Sequence, residues 1–157
     1  MANDIRAVLI PIETDRKLLL PNAMVAEVMA MRSIDDSDTD EDWLLGTVSW
    51  RGWDIPLIDY GLLTGFQNEE PADLASTDNI AVLKCINHPE DLPYFAVLSR
   101  GIPKLQLVSR GDIQLHEEQE VTHHAIASLV SIEDEMADIP NMNYLETQLI
   151  SLTGEPA

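Results

Sequence analysis

Apolar positions in this chain fall in short runs, and many alternate with polar ones at every second residue. The clearest case is residues 44–63, L-L-G-T-V-S-W-R-G-W-D-I-P-L-I-D-Y-G-L-L. With Arg51-Gly52 as a two-residue turn, Trp50 pairs with Trp53 and Val48 with Ile55. Alternation then places Val48, Trp50, Trp53, Ile55 and Leu57 on one face. Thr47, Ser49, Asp54, Pro56 and Ile58 take the other face. The pattern predicts an amphipathic hairpin with a charged tip.

The same reading gives further elements. Residues 8–12 and 18–20 are β-rich, and the polar Thr14-Asp15-Arg16-Lys17 between them predicts a turn. Pro21 ends the second run, and Asn22 is placed to cap a short helical turn through Ala23, Met24 and Val25. Residues 27–31 fit either an extension of that turn or a strand. Residues 60–63 predict a helical turn ending near Gly65, and the polar residues 66–79, with Pro71, read as a link. Residues 80–86 and 94–98 form a predicted strand pair across the loop Asn87-His88-Pro89-Glu90-Asp91. Residues 105–108 and 125–132 are further strands, whereas residues 114–119 fit no pattern. Leu145, Leu149 and Leu152 recur at i, i+4 and i+7, which predicts an amphipathic C-terminal helix with Asn143 as its cap. Many short strands and one helix point to a mostly β protein of barrel or sandwich type.

The hairpin has a weak copy. Asp54-Ile55-Pro56-Leu57-Ile58-Asp59-Tyr60 aligns with Asp138-Ile139-Pro140-Asn141-Met142-Asn143-Tyr144. Val48-Ser49 aligns with Val130-Ser131, which requires a turn about two residues longer around residues 133–135. One repeat at half the chain length implies two related halves rather than a solenoid.

Charge narrows the function. Asp and Glu number 28 against 9 Lys and Arg, a formal net charge of -19. Binding to nucleic acid or to an anionic membrane needs neutralising cations, so both are disfavoured. A basic partner is favoured instead. No apolar stretch approaches the ~20 residues that cross a bilayer, so direct membrane insertion is not expected. The single cysteine, Cys85, sits in the apolar run I-A-V-L-K-C-I and reads as a buried thiol, which suits the cytoplasm.

Candidate chemistry is sparse. Asp36, Asp38 and Asp40 start like a calcium loop, but Glu41 stands where that loop needs glycine and Thr47 where it needs glutamate. They read as part of a solvated acidic loop, residues 33–42. His116, His123 and His124 suggest a metal only superficially, since neighbours on a strand point to opposite faces. Neither a nucleophile elbow nor a phosphate-binding glycine motif is present. A small hydrolase built on Asp59 with His123 or His124 is an alternative. So is an acidic decoy that imitates nucleic acid.

The segment Leu45-Gly46-Thr-Val-Ser-Trp-Arg51-Gly52-Trp-Asp-Ile-Pro56-Leu-Ile-Asp59 resembles the L-G-x-x-x-x-R-G-x-x-x-P-x-x-D pattern of the CheW-like domain. Leu20-Pro21 and Glu27-Val28 are similar to that family's upstream residues, and the resemblance runs over about residues 5–152. It implies one CheW-like domain over residues 1–157, made of two small five-stranded β-barrel lobes with a C-terminal helix. Their approximate division is residues 20–80 and the remainder. It also implies a non-enzymatic adaptor with no cofactor. Such a module binds the regulatory domain of a CheA-type histidine kinase and the cytoplasmic tip of a chemoreceptor. The partner-binding residues implied are Glu27, Val28, Trp50, Arg51 and Gly52, with Gly46, Pro56 and Asp59 as structural positions. The chain departs from the pattern at Ser99-Arg100, where Val-Asp is frequent, and at Asn141-Met142-Asn143, where an aspartate is usual. Its acidic loop also lacks the usual prolines. These departures suit a specialised paralogue in a type IV pilus, or twitching-motility, system.

From the residues alone, each site residue also has a plainer role. Arg51 fits a solvated turn or an ion pair to Asp54 or Asp59. Trp50 and Trp53 fit core packing for at least one of the pair. Glu27 fits a surface glutamate on a helical turn.

Overall fold

In the computed structural model the described residues are 5–13, 16–32, 34–35, 42–64, 79–109, 111, 113–115, 123–132 and 135–153. Among them, eleven strands and two α-helices occur in the order β1 (Ile5–Glu13), β2 (Arg16–Pro21), β3 (Val25–Ala30), β4 (Leu44–Trp50), β5 (Trp53–Ile58), α1 (Tyr60–Leu63), β6 (Asn79–Lys84), β7 (Tyr94–Ser99), β8 (Lys104–Val108), β9 (Ile113–Leu115), β10 (Ile126–Ile132), β11 (Glu135–Pro140) and α2 (Met142–Thr153). The protein is mostly β and two-lobed. One sheet is ordered β3-β6-β7-β5-β4, the other β8-β1-β2-β11-β10-β9. The first lies within residues 25–99; the second combines residues 5–21 with residues 104–140.

The two sheets share a plan. In each, two antiparallel hairpins meet at a parallel seam, β5 beside β7 and β11 beside β2. Position by position, β3-β6-β7-β5-β4 corresponds to β8-β1-β2-β11-β10, and β9 is an addition to the second sheet. The hairpins match residue for residue at a spacing of 82: Val48 opposite Ile55 becomes Val130 opposite Ala137 (48 to 130, 55 to 137). Even the register shift at Leu44/Gly46 recurs at Ile126/Ser128. No longer turn intervenes, since Ile132 pairs with Glu135 as Trp50 pairs with Trp53. The alignment of Asp54 on Asp138 is therefore two residues out of register, and Pro56 is the counterpart of Asp138. The duplication lies in the architecture, and the shared Asp-Ile-Pro letters do not mark it.

Three apolar cores explain the unbroken apolar runs. Ile80 and Val82 of β6 face a core inside the first lobe, with Val48, Trp50, Ile55 and Leu57. Ala81 and Leu83 face the opposite way, into a core shared between the lobes. In the second lobe, Ala7, Leu9 and Leu19 point inward, while Val8, Ile10, Leu18 and Leu20 reach the shared core. Strands buried on both faces lose the polar alternation and read as continuous apolar segments. For this reason Ile58, assigned by alternation to the polar face, is fully buried in the shared core. Leu145 and Leu149 of α2 and Tyr60 of α1 complete that core.

Several local expectations are corrected. Arg16 and Lys17 belong to β2, leaving only Thr14 and Asp15, outside the described residues, between the strands. Pro21, with no side-chain hydrogen bond, occupies the cap position of a 3-10 turn at Asn22–Met24, so Asn22 is its first residue. Residues 27–31 follow the strand alternative as far as Ala30, so Glu27 lies on a strand rather than a helical turn. Asn141 caps α2, its Oδ1 accepting from Tyr144 N at 3.1 Å; Asn143 lies inside the helix. Most of the link at residues 66–79 and His116 lie outside the described residues, as do Asp36, Asp38 and Asp40.

Candidate interaction site

The tip of the β4–β5 hairpin is held by backbone geometry before any side chain acts. Arg51 (φ 48°) and Gly52 (φ 85°) both take the left-handed region. A two-residue turn of this hand matches the twist of the flanking strands. Glycine adopts it freely, whereas an arginine there needs support. Glu27 on β3 gives it: Arg51 Nε and Nη2 donate to Glu27 Oε1 at 3.2 and 3.1 Å. Trp50 Nε1 donates to the same oxygen at 3.0 Å, and the Arg51 guanidinium lies 5.3 Å from the Trp50 ring centroid. The Trp50 N–H, then Arg51, hold the Glu27 carboxyl below the usual carboxylate range.

These contacts close the first lobe. β3 and β4 are the two edges of their sheet, and Glu27 joins one to the other. Arg32 Nη1 donates to Ser49 O at 3.0 Å across the same gap. Farther along, Asp35 and Thr47 exchange two backbone hydrogen bonds of 2.8 Å. The backbone at this isolated bridge sits on Gly46 (φ 144°), where a Cβ would clash with Asp35 O. Gly46 is therefore the residue that lets the barrel close.

The predicted site residues form one corner. Trp50 is buried (6% exposed), whereas Trp53 is 49% exposed and Val28 40% exposed. Trp53 stays on the face of Trp50, its cross-strand partner, but is half exposed because the sheet ends at the turn. Tyr94 packs edge-on to both indoles, with centroids 4.8 Å from Trp50 and 6.2 Å from Trp53. Arg51, with 70% of its side chain exposed, pairs with Glu27 rather than with Asp54 or Asp59. The corner shows a fixed carboxylate, a fixed guanidinium edge and an indole face side by side. Holding Arg51 in place removes part of the ordering cost of using it against a partner.

Pro56 and Asp59 act inside the fold. Pro56 is buried opposite Thr47, at a position whose missing N–H costs no β4 hydrogen bond. Asp59 is buried, caps α1 by accepting from Leu62 N at 3.1 Å, and lies 3.8 Å from Arg100 Nη2. Arg100, a departure from the family pattern, so becomes its counter-charge. His123 and His124 lie in a turn ahead of β10, not on opposite faces of a strand, and both pack on Tyr144. Among the described residues, no group of three or more His, Cys, Asp or Glu side chains is arranged to hold a metal ion.

Two further polar clusters were not foreseen from sequence. Between the lobes, Arg16 pairs with the buried Asp138, and Tyr60 Oη reaches Ala125 O at 3.5 Å. Burial raises the Asp138 carboxyl against the opposing pull of Arg16, and burial pushes the Tyr60 hydroxyl up. On α2, the fully buried Glu146 accepts from the backbone N–H groups of Ile86, Asn87 and His88 and from Asn87 Nδ2, at 2.7–3.3 Å. The partners lie some 60 residues apart, so no local pattern could have paired them. The second lobe adds an apolar hollow of about 200 Å³ lined by Ile5, Leu19, Val108, Ile113 and Ile139 among others.

Residues 6–149 match the family model described as CheW-like domain. In structure, the chain is similar to the scaffolding protein TtCheW from Thermoanaerobacter tengcongensis, with a TM-score of 0.72 and 15% sequence identity over 99% of this chain and 92% of that one. No curated protein matches the chain in sequence. No helix among the described residues is long and apolar enough to cross a membrane.

Proposed function

Since this chain belongs to the CheW-like domain family, we propose that it is a non-enzymatic adaptor of a bacterial chemosensory system. In this reading it couples a chemoreceptor tip to the regulatory domain of a CheA-type histidine kinase in the cytoplasm. The observation that carries the proposal is the corner at Glu27, Val28, Trp50, Arg51 and Gly52. It sits on a rigid turn, braced from the opposite sheet edge, and presents charge beside an exposed indole. Arg and Trp in that setting are the residue types that dominate protein interfaces. The departures from the family pattern favour a specialised paralogue serving pilus-driven twitching. In that case deletion abolishes twitching and spares swimming.

The test is solution binding to the kinase regulatory domain and, separately, to the receptor tip, at low and moderate salt. Arg51→Asn is the informative variant. Asparagine tolerates the left-handed turn and removes the charge. Arg51→Glu is the poorer choice, because it sets a second carboxylate against Glu27. Binding that tolerates salt, and that falls at least tenfold in folded Arg51→Asn for one of the two partners, supports the adaptor. Binding to neither partner, or equal binding of both by the variant, sinks the role assigned to this corner. Binding that collapses with salt favours an acidic decoy.

A further inference from the structure

Three of the chain's four histidines meet the first turn of α2. His123 packs edge-on against Tyr144 with centroids 5.7 Å apart. His124 lies tilted 30° against the same ring at 5.9 Å. His88, from the loop after β6, places Nε2 3.0 Å from Asn143 Oδ1. That last contact has the imidazole donating, so it survives protonation. The His123 contact does not. Its Nδ1 accepts a 3.0 Å hydrogen bond from Ala125 N, which only the neutral ring with its proton on Nε2 can do. A proton on Nδ1 sets one N–H against another. It also adds positive charge beside the N-terminus of α2, where the helix dipole is already positive.

We propose that His123, with His124 and Tyr144, forms an acid-released latch on α2, in which the neutral His123 ring holds the first turn and a proton at its Nδ1 loosens it. Among the described residues, the titratable groups facing His123 are His124 on its own turn and Tyr144 on α2. Glu146, two residues beyond Tyr144, is fully buried and engaged by the amides of residues 86–88. His88 touches the turn only through Asn143. Burial, and secondarily His124, hold His123 below the usual histidine range. The unfolded chain, with a histidine pKa of about 6.5, therefore takes the proton more readily than the folded one. The latch is complete above that value and is lost as pH falls toward the lowered folded value. Release matters beyond the turn, because α2 brings Leu145 and Leu149 into the core shared by both lobes. The inference is independent of the adaptor reading.

The experiment follows histidine ring resonances and amide exchange in the full chain from pH 8 to 5.5. Exchange of residues 142–146 is expressed relative to β6 and β7 after correction for intrinsic rates. The expected result is a ratio that rises below about pH 6.5, by up to tenfold per pH unit for one proton taken up, and levels off where the His123 ring titrates. His123→Asn supplies a non-titrating acceptor to Ala125 N–H and flattens the rise. A flat ratio in the wild-type chain overturns the proposal whether or not the variant folds. So does a rise that continues unchanged below the titration of the His123 ring, or one that persists in folded His123→Asn.

Discussion

Replacing Glu146 tests how α2 is fixed to the rest of the molecule. Its carboxylate takes four donors, three of them backbone N–H groups at residues 86–88. Truncation to alanine deprives those donors of their acceptor, at about 1–3 kcal/mol for each donor that stays buried. Ile86 and Asn87 are exposed along their side chains, so water reaches part of the cradle once the carboxylate has gone. The expected loss is accordingly about 3 kcal/mol, within the range for breaking a buried charged network. Glu146→Gln keeps the length and one accepting oxygen but turns an NH₂ group toward an N–H donor, so roughly half of that loss remains. Urea denaturation reads both. With a slope of about 2 kcal/mol/M, Glu146→Ala lowers the midpoint by about 1.5 M and Glu146→Gln by about half as much. A Glu146→Ala protein within about 0.5 kcal/mol of wild type, at unchanged slope, would refute the reasoning. The cradle would then be a contact without consequence.

Three other outcomes follow from the same structure. Gly46→Ala forces a Cβ onto Asp35 O and a side chain into a left-handed backbone, so it costs about 2–4 kcal/mol in denaturant unfolding; a loss under ~1 kcal/mol contradicts the crossing at residues 34–35. Trp50→Ala removes a buried ring and the Glu27 hydrogen bond, losing about 3–5 kcal/mol of stability. Trp53→Ala, by contrast, is nearly neutral for folding and weakens partner binding, and equal melting losses for the two exclude this division. The Cys85 thiol, pushed up chiefly by burial, resists a thiol reagent at neutral pH until the chain unfolds, and rapid labelling of the folded protein contradicts its placement.

What the sequence revealed was local. The Arg51-Gly52 turn, the Trp50–Trp53 and Val48–Ile55 pairings and the Leu145/Leu149 helix depend on spacings of a few residues, and each is found where it was expected. Contacts across the chain were hidden. Glu27 and Arg51 are 24 residues apart and joined only because β3 and β4 close the lobe. Alternation misplaced Ile58 because β5 is covered on both sides at that point; it put Trp53 on the face of Trp50 but could not show that the sheet stops there and leaves the ring half exposed. The repeat was sensed correctly as two halves, yet identical letters gave the wrong register. Strand pairing preserves which side chains face inward, and it leaves the identity of those side chains free to drift.

The second sheet takes two of its interior strands, β1 and β2, from residues 5–21 and its remaining strands from residues 104–140. On the ribosome the two parts are made at different times. At about 5–20 residues per second, the first hairpin waits on the order of ten seconds for β8, and longer for β11. Throughout that interval Leu9 and Leu19 on one side, and Ile10, Leu18 and Leu20 on the other, have no finished core of their own. The first lobe, contiguous in sequence, can be complete before then and offer its side of the shared core as a template. Order of synthesis thus gives the first lobe the part of an internal chaperone for the strands that precede it.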